Sequence, residues 1–431
     1  MATMFKPQIL SKKLIKPSTP TPSCLQKHNL SLMDQLVPPT ALNIILCYSS
    51  RNEETKLGSK QRCSKLENSL SEALTKFYPL AGRLVIDELW VDCSDQGVEL
   101  LEARVDQKLS NFLHGGPKIE ELDQLVPWEN GACDSASTPL VAVQINMFNC
   151  GGLIVGVQVS HKVADPTSVV SFINGWASAS RGGMKGVMCP SFNLGTIFPP
   201  SNLLPSNPPS KIGTQIVTRI FHFSEGAIRV LEEESRAASA PFPGLPSREV
   251  AVAAVLWRAL IGVARVRHRR PRPSLLVYAV NLRGRVNILT PENAFGNLPV
   301  LISTQFREEE GRAELHDLVA LLADKWRESN PAKAATVGEL CSMVTSSFGK
   351  AREEKFNNPM VDVHLCSSWC GLPLYEADFG WGKPIWVGST SKQTEVVSLM
   401  DSGYGVDAWV SLDEEGMAEL ENDSEILSLT Y

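Results

Sequence analysis

The chain has 431 residues, 41 Lys+Arg against 47 Asp+Glu, a formal net charge of -6, and 43% hydrophobic and 20% charged residues. Those values exclude a disordered chain, a collagen and a small disulfide scaffold, and the length predicts two or three domains. The acidic balance argues against a nucleic-acid binder, whose affinity comes from Lys and Arg neutralising phosphates.

The first residues lack a secretory pattern: Met1 to Leu10 runs into Ser11-Lys12-Lys13 with no apolar core of signal-peptide length. No apolar stretch approaches the ~18 residues needed to cross a bilayer. The cytosol is the expected compartment, with no membrane partner. Leu42 to Tyr48 is β-rich and predicts a strand, and Lys65 to Phe77 carries a helical apolar stripe. Val141 to Met147 and Leu153 to Val159 predict two more strands.

The second of these delivers His161 at its end, where a helix begins. Asp165 before Pro166 reads as an N-cap followed by proline at the first helical position, and Val169, Phe172, Ile173 and Trp176 form the stripe behind it. A neutral imidazole at such a junction can accept a proton from an alcohol or amine. A hydrogen-bonded, half-buried histidine is the alternative that the residues alone leave open.

Between Cys189 and Ile212 lie six prolines, from Pro190 to Pro209, a density that sustains neither a helix nor a central strand. It predicts a crossover linker over 188–213 between an N-terminal domain, 1–187, and a C-terminal domain, 214–431. Arg248 to Val263 then predicts a helix, and Leu275 to Val280 a strand. The basic run Arg265, Arg267, Arg269, Arg270 and Arg272, broken by Pro271 and Pro273, reads as a solvated loop. After Lys392 there is no Lys or Arg, and the accumulated Asp and Glu read as a solvated acidic face. Alternating strands and helices without strict parallel repeats predict an α/β fold with mixed sheets.

Asp378-Phe379-Gly380-Trp381-Gly382 shares three residues with the kinase metal-binding triplet, but no kinase catalytic loop or Gly-rich nucleotide loop accompanies it. Two glycines around a tryptophan indicate a tight turn with a structural role. The ten cysteines show no Cys-x-x-Cys spacing, so reduced thiols and no bound metal are expected.

These segments, with Tyr78-Pro-Leu-Ala-Gly82-Arg83, His161-Lys-Val-Ala-Asp165 and Asn281-Leu-Arg283-Gly-Arg285, resemble the plant BAHD family of acyl-CoA-dependent acyltransferases over nearly the whole chain. The patterns His-Lys-x-Ala-Asp and Tyr-Glu-x-Asp-Phe-Gly-Trp-Gly-Lys-Pro look most like its vinorine-synthase-like branch, which acetylates alkaloid and terpenoid alcohols. The resemblance implies two chloramphenicol-acetyltransferase-like domains joined by a long crossover, with the active-site channel between them.

It further implies a monomer that uses acyl-CoA, acetyl-CoA first, as co-substrate and a small-molecule alcohol as acceptor, with nothing permanently bound. His161 is then the general base. Trp369 and Ser367 are the candidates for stabilising the charge on the carbonyl oxygen. Asp165 is implied to pair with an arginine, Arg283 or else Arg285, in place of serving in a triad, and Asp378 to Gly382 are structural. Ser247 and Arg248, at the start of a helix, are the candidate CoA contacts. Transfer of an aromatic or branched acyl group, N-acylation of an amine, and a non-catalytic binding homologue of the same fold are the alternatives.

Overall fold

The computed structural model of the chain describes residues 5–50, 58–128, 137–183, 189–201, 215–236, 248–286, 291–307, 313–329 and 331–430. They form two units, each built on a six-stranded mixed sheet. The first unit comprises Met1–Pro205, Thr290–Leu298 and Leu372–Ser391, and the second Ser206–Leu289, Pro299–Gly371 and Lys392–Tyr431. The α/β class with mixed sheets is as expected from sequence.

The domain boundaries differ from that expectation. Two segments of the presumed C-terminal domain belong to the first unit, and one of them carries the Asp378 to Gly382 motif. The reason is packing: Trp386–Gly388 pairs antiparallel with Ala41–Tyr48, and the Phe379 ring meets Trp176 edge-on at 4.7 Å. Much of the proline-rich crossover, 202–214, lies outside the described residues; its described part holds one helical turn, Leu194–Ile197, against the expectation of no helix, in the proline-free stretch between Pro190 and Pro199.

In the first sheet the strands run in the order Gln8–Ile15, Val98–Val105, Val141–Phe148, Leu153–Ser160, Ala41–Tyr48 and Trp386–Gly388. All eight residues of Leu153–Ser160 are buried, as befits a central strand covered on both faces. One face is apolar. The other carries Asn43, Gln144, Asn146 and Gln158, which the register and the two-residue side-chain period place together.

The segment Gln124–Trp128 closes that polar face. Gln144 Nε2 donates to Gln124 O at 2.9 Å, Asn146 Nδ2 to Leu125 O at 3.0 Å, and Trp128 N to Gln158 Oε1 at 2.7 Å. Gly156 makes the approach possible, because a methyl there would strike the Leu125 carbonyl. Buried polar groups cost free energy unless paired, and this layer pairs them with backbone.

Helices Ser59–Lys76 and Pro166–Gly182 pack together in the first unit, with Trp176 Nε1 donating to Leu66 O at 3.1 Å. The first begins six residues before the predicted Lys65, its opening turns being too polar to show a stripe.

The second sheet runs Pro299–Phe306, Ser274–Asn281, Asp362–Ser368, Val396–Ser402, Gly405–Asp413 and Ile216–Ser224. Its core includes the almost continuously apolar helix Arg248–His268. The basic run is exposed as expected at Arg265, Arg267, Arg269 and Arg270, but only part of it is a loop. Arg265 and Arg267 belong to the last turn of that helix, where cations favour the helix dipole, and Arg267 Nη2 meets Asp413 at 2.7 Å.

Of the acidic C-terminal residues Glu414, Glu415, Glu419 and Glu421 are exposed as expected, while others are engaged. Asp413 caps helix Glu414–Glu421, Asp423 caps Ser424–Leu429, and Asp407 lies 2.6 Å from His222 Nδ1. No helix among the described residues is long and apolar enough to cross a membrane.

Candidate active site

Strand Leu153–Ser160 ends on two backbone hydrogen bonds, Ser160 N to Leu140 O and His161 N to Thr40 O, both 2.8 Å. The chain then turns within His161–Asp165 and enters the helix at Pro166. His161 Nδ1 lies 3.0 Å from Ala164 O. A carbonyl only accepts, so Nδ1 carries the proton and Nε2 keeps its lone pair.

Burial pushes the pKa of this ring below its ordinary value, while the Asp165 charge, the surrounding backbone and the Asn297 amide act in the opposite sense. The neutral ring prevails. His161 is therefore a half-buried imidazole in one tautomer, on the end of a rigid strand.

Asp165 is 6% exposed and caps helix Pro166–Gly182, its Oδ1 accepting from Ser168 N at 2.9 Å. Its Oδ2 accepts from Leu298 N at 3.2 Å. In a hydrolase-type triad a carboxylate would hold His161 Nδ1. Here the Ala164 carbonyl takes that place, and Asp165 ties the helix start to the Thr290–Leu298 segment.

Three residues at this turn were not singled out from sequence. Asn297, fully buried, donates from Nδ2 to Asp34 Oδ1 at 2.8 Å and to His161 O at 2.7 Å. Asp34 Oδ1 also accepts from Asn297 N at 2.9 Å, and Asp34 Oδ2 accepts from Ser31 N and Oγ at 2.7 Å each. Lys162, 6% exposed, donates to Val37 O at 2.6 Å and Gln35 O at 3.2 Å. A Ser-x-x-Asp capping box at Ser31–Asp34 was legible in principle. Nothing in the sequence joined it to residue 297.

The Asp378 to Gly382 turn lies in the first unit. Asp378 Oδ1 accepts from Gly380 N at 2.7 Å and Gly382 N at 2.9 Å. Both glycines adopt positive φ, +100° and +102°, which a side chain would strain. Phe379 and Trp381 are buried and stacked 5.8 Å apart.

Ser367, Trp369, Arg283 and Arg248 belong to the second unit. Ser367 sits near the end of strand Asp362–Ser368, opposite Ala279 and Ser398. Trp369 is buried, its N donating to Leu399 O at 2.7 Å. Arg283 N and Nη1 donate to Asn281 Oδ1 at 3.1 and 3.0 Å, and the Arg285 guanidinium lies 5.1 Å over Trp326.

Arg248 Nη2 is 2.5 Å from Asp401 Oδ1, and Asp401 Oδ2 accepts from Gly371 N at 2.6 Å. The charge of Arg248 is thus met by a carboxylate that also braces the turn after Trp369. Ser247 lies outside the described residues. Among the described residues no three His, Cys, Asp or Glu side chains are grouped as a metal ion would require.

A family model described as the Transferase family matches residues 5–427. An acetyl-CoA-benzylalcohol acetyltransferase of Clarkia breweri is 35% identical over 431 residues, covering 97% of this chain and 98% of the relative. Stemmadenine O-acetyltransferase of Catharanthus roseus is 36% identical over 425 residues, 96% of each chain. The crystal structure of vinorine synthase superposes with a TM-score of 0.85 at 32% identity, covering 99% of this chain and 98% of that one. With the family model spanning nearly its whole length, the chain belongs to the BAHD transferase family and is an acyltransferase.

Proposed function

We propose that this enzyme transfers an acyl group, acetyl by preference, from CoA to a hydroxyl of a plant specialised metabolite such as an alkaloid or terpenoid alcohol. The observation that carries the reading is the His161 tautomer, with Nδ1 held on Ala164 O at 3.0 Å and Nε2 left basic. His161 Nε2 takes the acceptor O–H proton as the oxygen attacks the thioester carbonyl carbon. The tetrahedral intermediate collapses with C–S cleavage, and the same proton passes to the CoA sulfur.

No acyl-enzyme forms. Ser367 Oγ and the Trp369 region are the proposed donors to the developing oxyanion, where a preplaced dipole stabilises the transition state more than the substrate. The acetyl and alcohol parts of the proposal follow the names of the relatives from Clarkia breweri and Catharanthus roseus.

Thermal melts with a panel of CoA thioesters test the donor, because a ligand that binds only the native state stabilises it by RT ln(1 + [L]/Kd). Acetyl-CoA at about 100 times its Kd should add about 2.7 kcal/mol of apparent stability. A 32% identical malonyltransferase of Salvia splendens makes malonyl-CoA a necessary member of the panel. If neither the thioesters nor free CoA moved the melt, the acyl-CoA reading would be lost.

The pH profile tests the base. A base acts deprotonated, and burial lowers the pKa of His161 below its ordinary 6.5, so activity should fall only as pH drops through that lowered value. The acidic limb of kcat/KM is therefore expected below pH 6.5. A limb already descending between pH 8 and 7 would assign it to a different group.

A further inference from the structure

We infer that Asn297, held in register by Asp34, is a positioning residue that fixes the His161 imidazole by clamping the main chain of its turn. This rests on the reading of His161 as the base. The amide orientation is unambiguous, because both partners of Nδ2, Asp34 Oδ1 and His161 O, can only accept at 2.8 and 2.7 Å.

The turn is therefore tied at two carbonyls. His161 O is held by Asn297 Nδ2, and Ala164 O is held by the imidazole Nδ1. With both fixed, the ring has one direction and one tautomer. Freeing the first lets the His161 peptide rotate and carries the ring with it.

Packing alone does not account for an asparagine here. Among the described residues Asn297 Oδ1 is buried without a hydrogen-bond partner, a cost of about 1–3 kcal/mol that an aliphatic side chain would avoid. What the amide supplies is its donors. Asp34 has its carboxylate filled by Ser31 and Asn297, so it acts as a fixed acceptor that holds the amide in place.

The test reads the ring itself. In histidine-15N-labelled protein at mildly alkaline pH, the His161 signals, identified by their loss in His161→Ala, should report a single Nδ1–H tautomer. Asn297→Ala should give a mixture of tautomers. The isosteric Asn297→Asp, which cannot donate, covers the case in which the alanine variant does not fold. Ser274→Ala, which deprives the buried Trp257 Nε1 of its 2.9 Å acceptor in the second unit, supplies a stability control expected to leave the signal alone.

With acetyl-CoA and benzyl alcohol as probes, both Asn297 variants should lose kcat on the order of a hundredfold, the cost of about 1 Å of misplacement, with KM for acetyl-CoA within about twofold. An unchanged His161 tautomer in a folded Asn297 variant overturns the clamp, whatever the kinetics. Full turnover by His161→Ala removes the base instead, and the tautomer measurement then judges the clamp separately.

Discussion

Acyl transfer by His161→Ala is expected to fall at least a thousandfold, within the 10²–10⁴ range of a positioned general base, while the protein stays folded. The side chain is half-buried, with Nδ1 on Ala164 O at 3.0 Å. A bond of that kind is worth about 0.5–1.5 kcal/mol net. The turn keeps its other supports, Asn297 on His161 O and Lys162 on the carbonyls of Gln35 and Val37. Steady-state rates with acetyl-CoA beside thermal melts would show inactivity without unfolding. Near-normal turnover in a folded variant would remove His161 from the mechanism.

Asp165→Asn should lose activity and stability together, for a reason specific to its two oxygens. Asn is as good a helix cap as Asp. It has only one acceptor atom, however, whereas Asp165 serves Ser168 N with Oδ1 and Leu298 N with Oδ2. One of those N–H groups must face an NH2 group. A buried donor left unsatisfied costs about 1–3 kcal/mol. The cost falls where the first turn of helix Pro166–Gly182 meets Leu298, next to the clamp at Asn297. Melting temperature and kcat should therefore drop in parallel, and Asp165→Ala, which loses both contacts, should be worse. An Asn variant as stable as the parent yet inactive would give Asp165 a direct catalytic part.

The local parts of this site were legible because local sequence determines them. The β-rich run Leu153 to Val159, the Asp165-Pro166 pair and the stripe from Val169 to Trp176 specify a strand, a cap and a helix within 24 residues of chain; the observed strand runs one residue further, to Ser160, and the helix starts at Pro166 as expected and continues to Gly182. The Asp378 to Gly382 turn was legible as a turn. What escaped was long-range pairing. Asp34 and Asn297 stand 263 residues apart, and no periodicity connects them. The domain assignment of the Asp378 motif failed likewise, since a short edge strand at Trp386–Gly388 decides it. Charge was legible in part: Arg269, Arg270, Glu414 and Glu419 are exposed as read, whereas the pairing of Arg267 with Asp413, 146 residues on, needed the fold.

The first unit is discontinuous along the chain, and this sets a schedule for its birth. Asn297 follows His161 by 136 residues, so at roughly 5–20 residues per second the ribosome adds it on the order of ten seconds after the histidine. During that interval the acceptors of Asp34 and the His161 carbonyl lack the amide that later joins them, and the sheet lacks its Trp386–Gly388 edge. The nascent N-terminal half must wait as an incomplete layer with an open strand edge, a species prone to mispairing. Chaperone dependence during synthesis, and failure of a chain truncated after Pro205 to reach a cooperative native state, follow from the same arrangement that aims the imidazole.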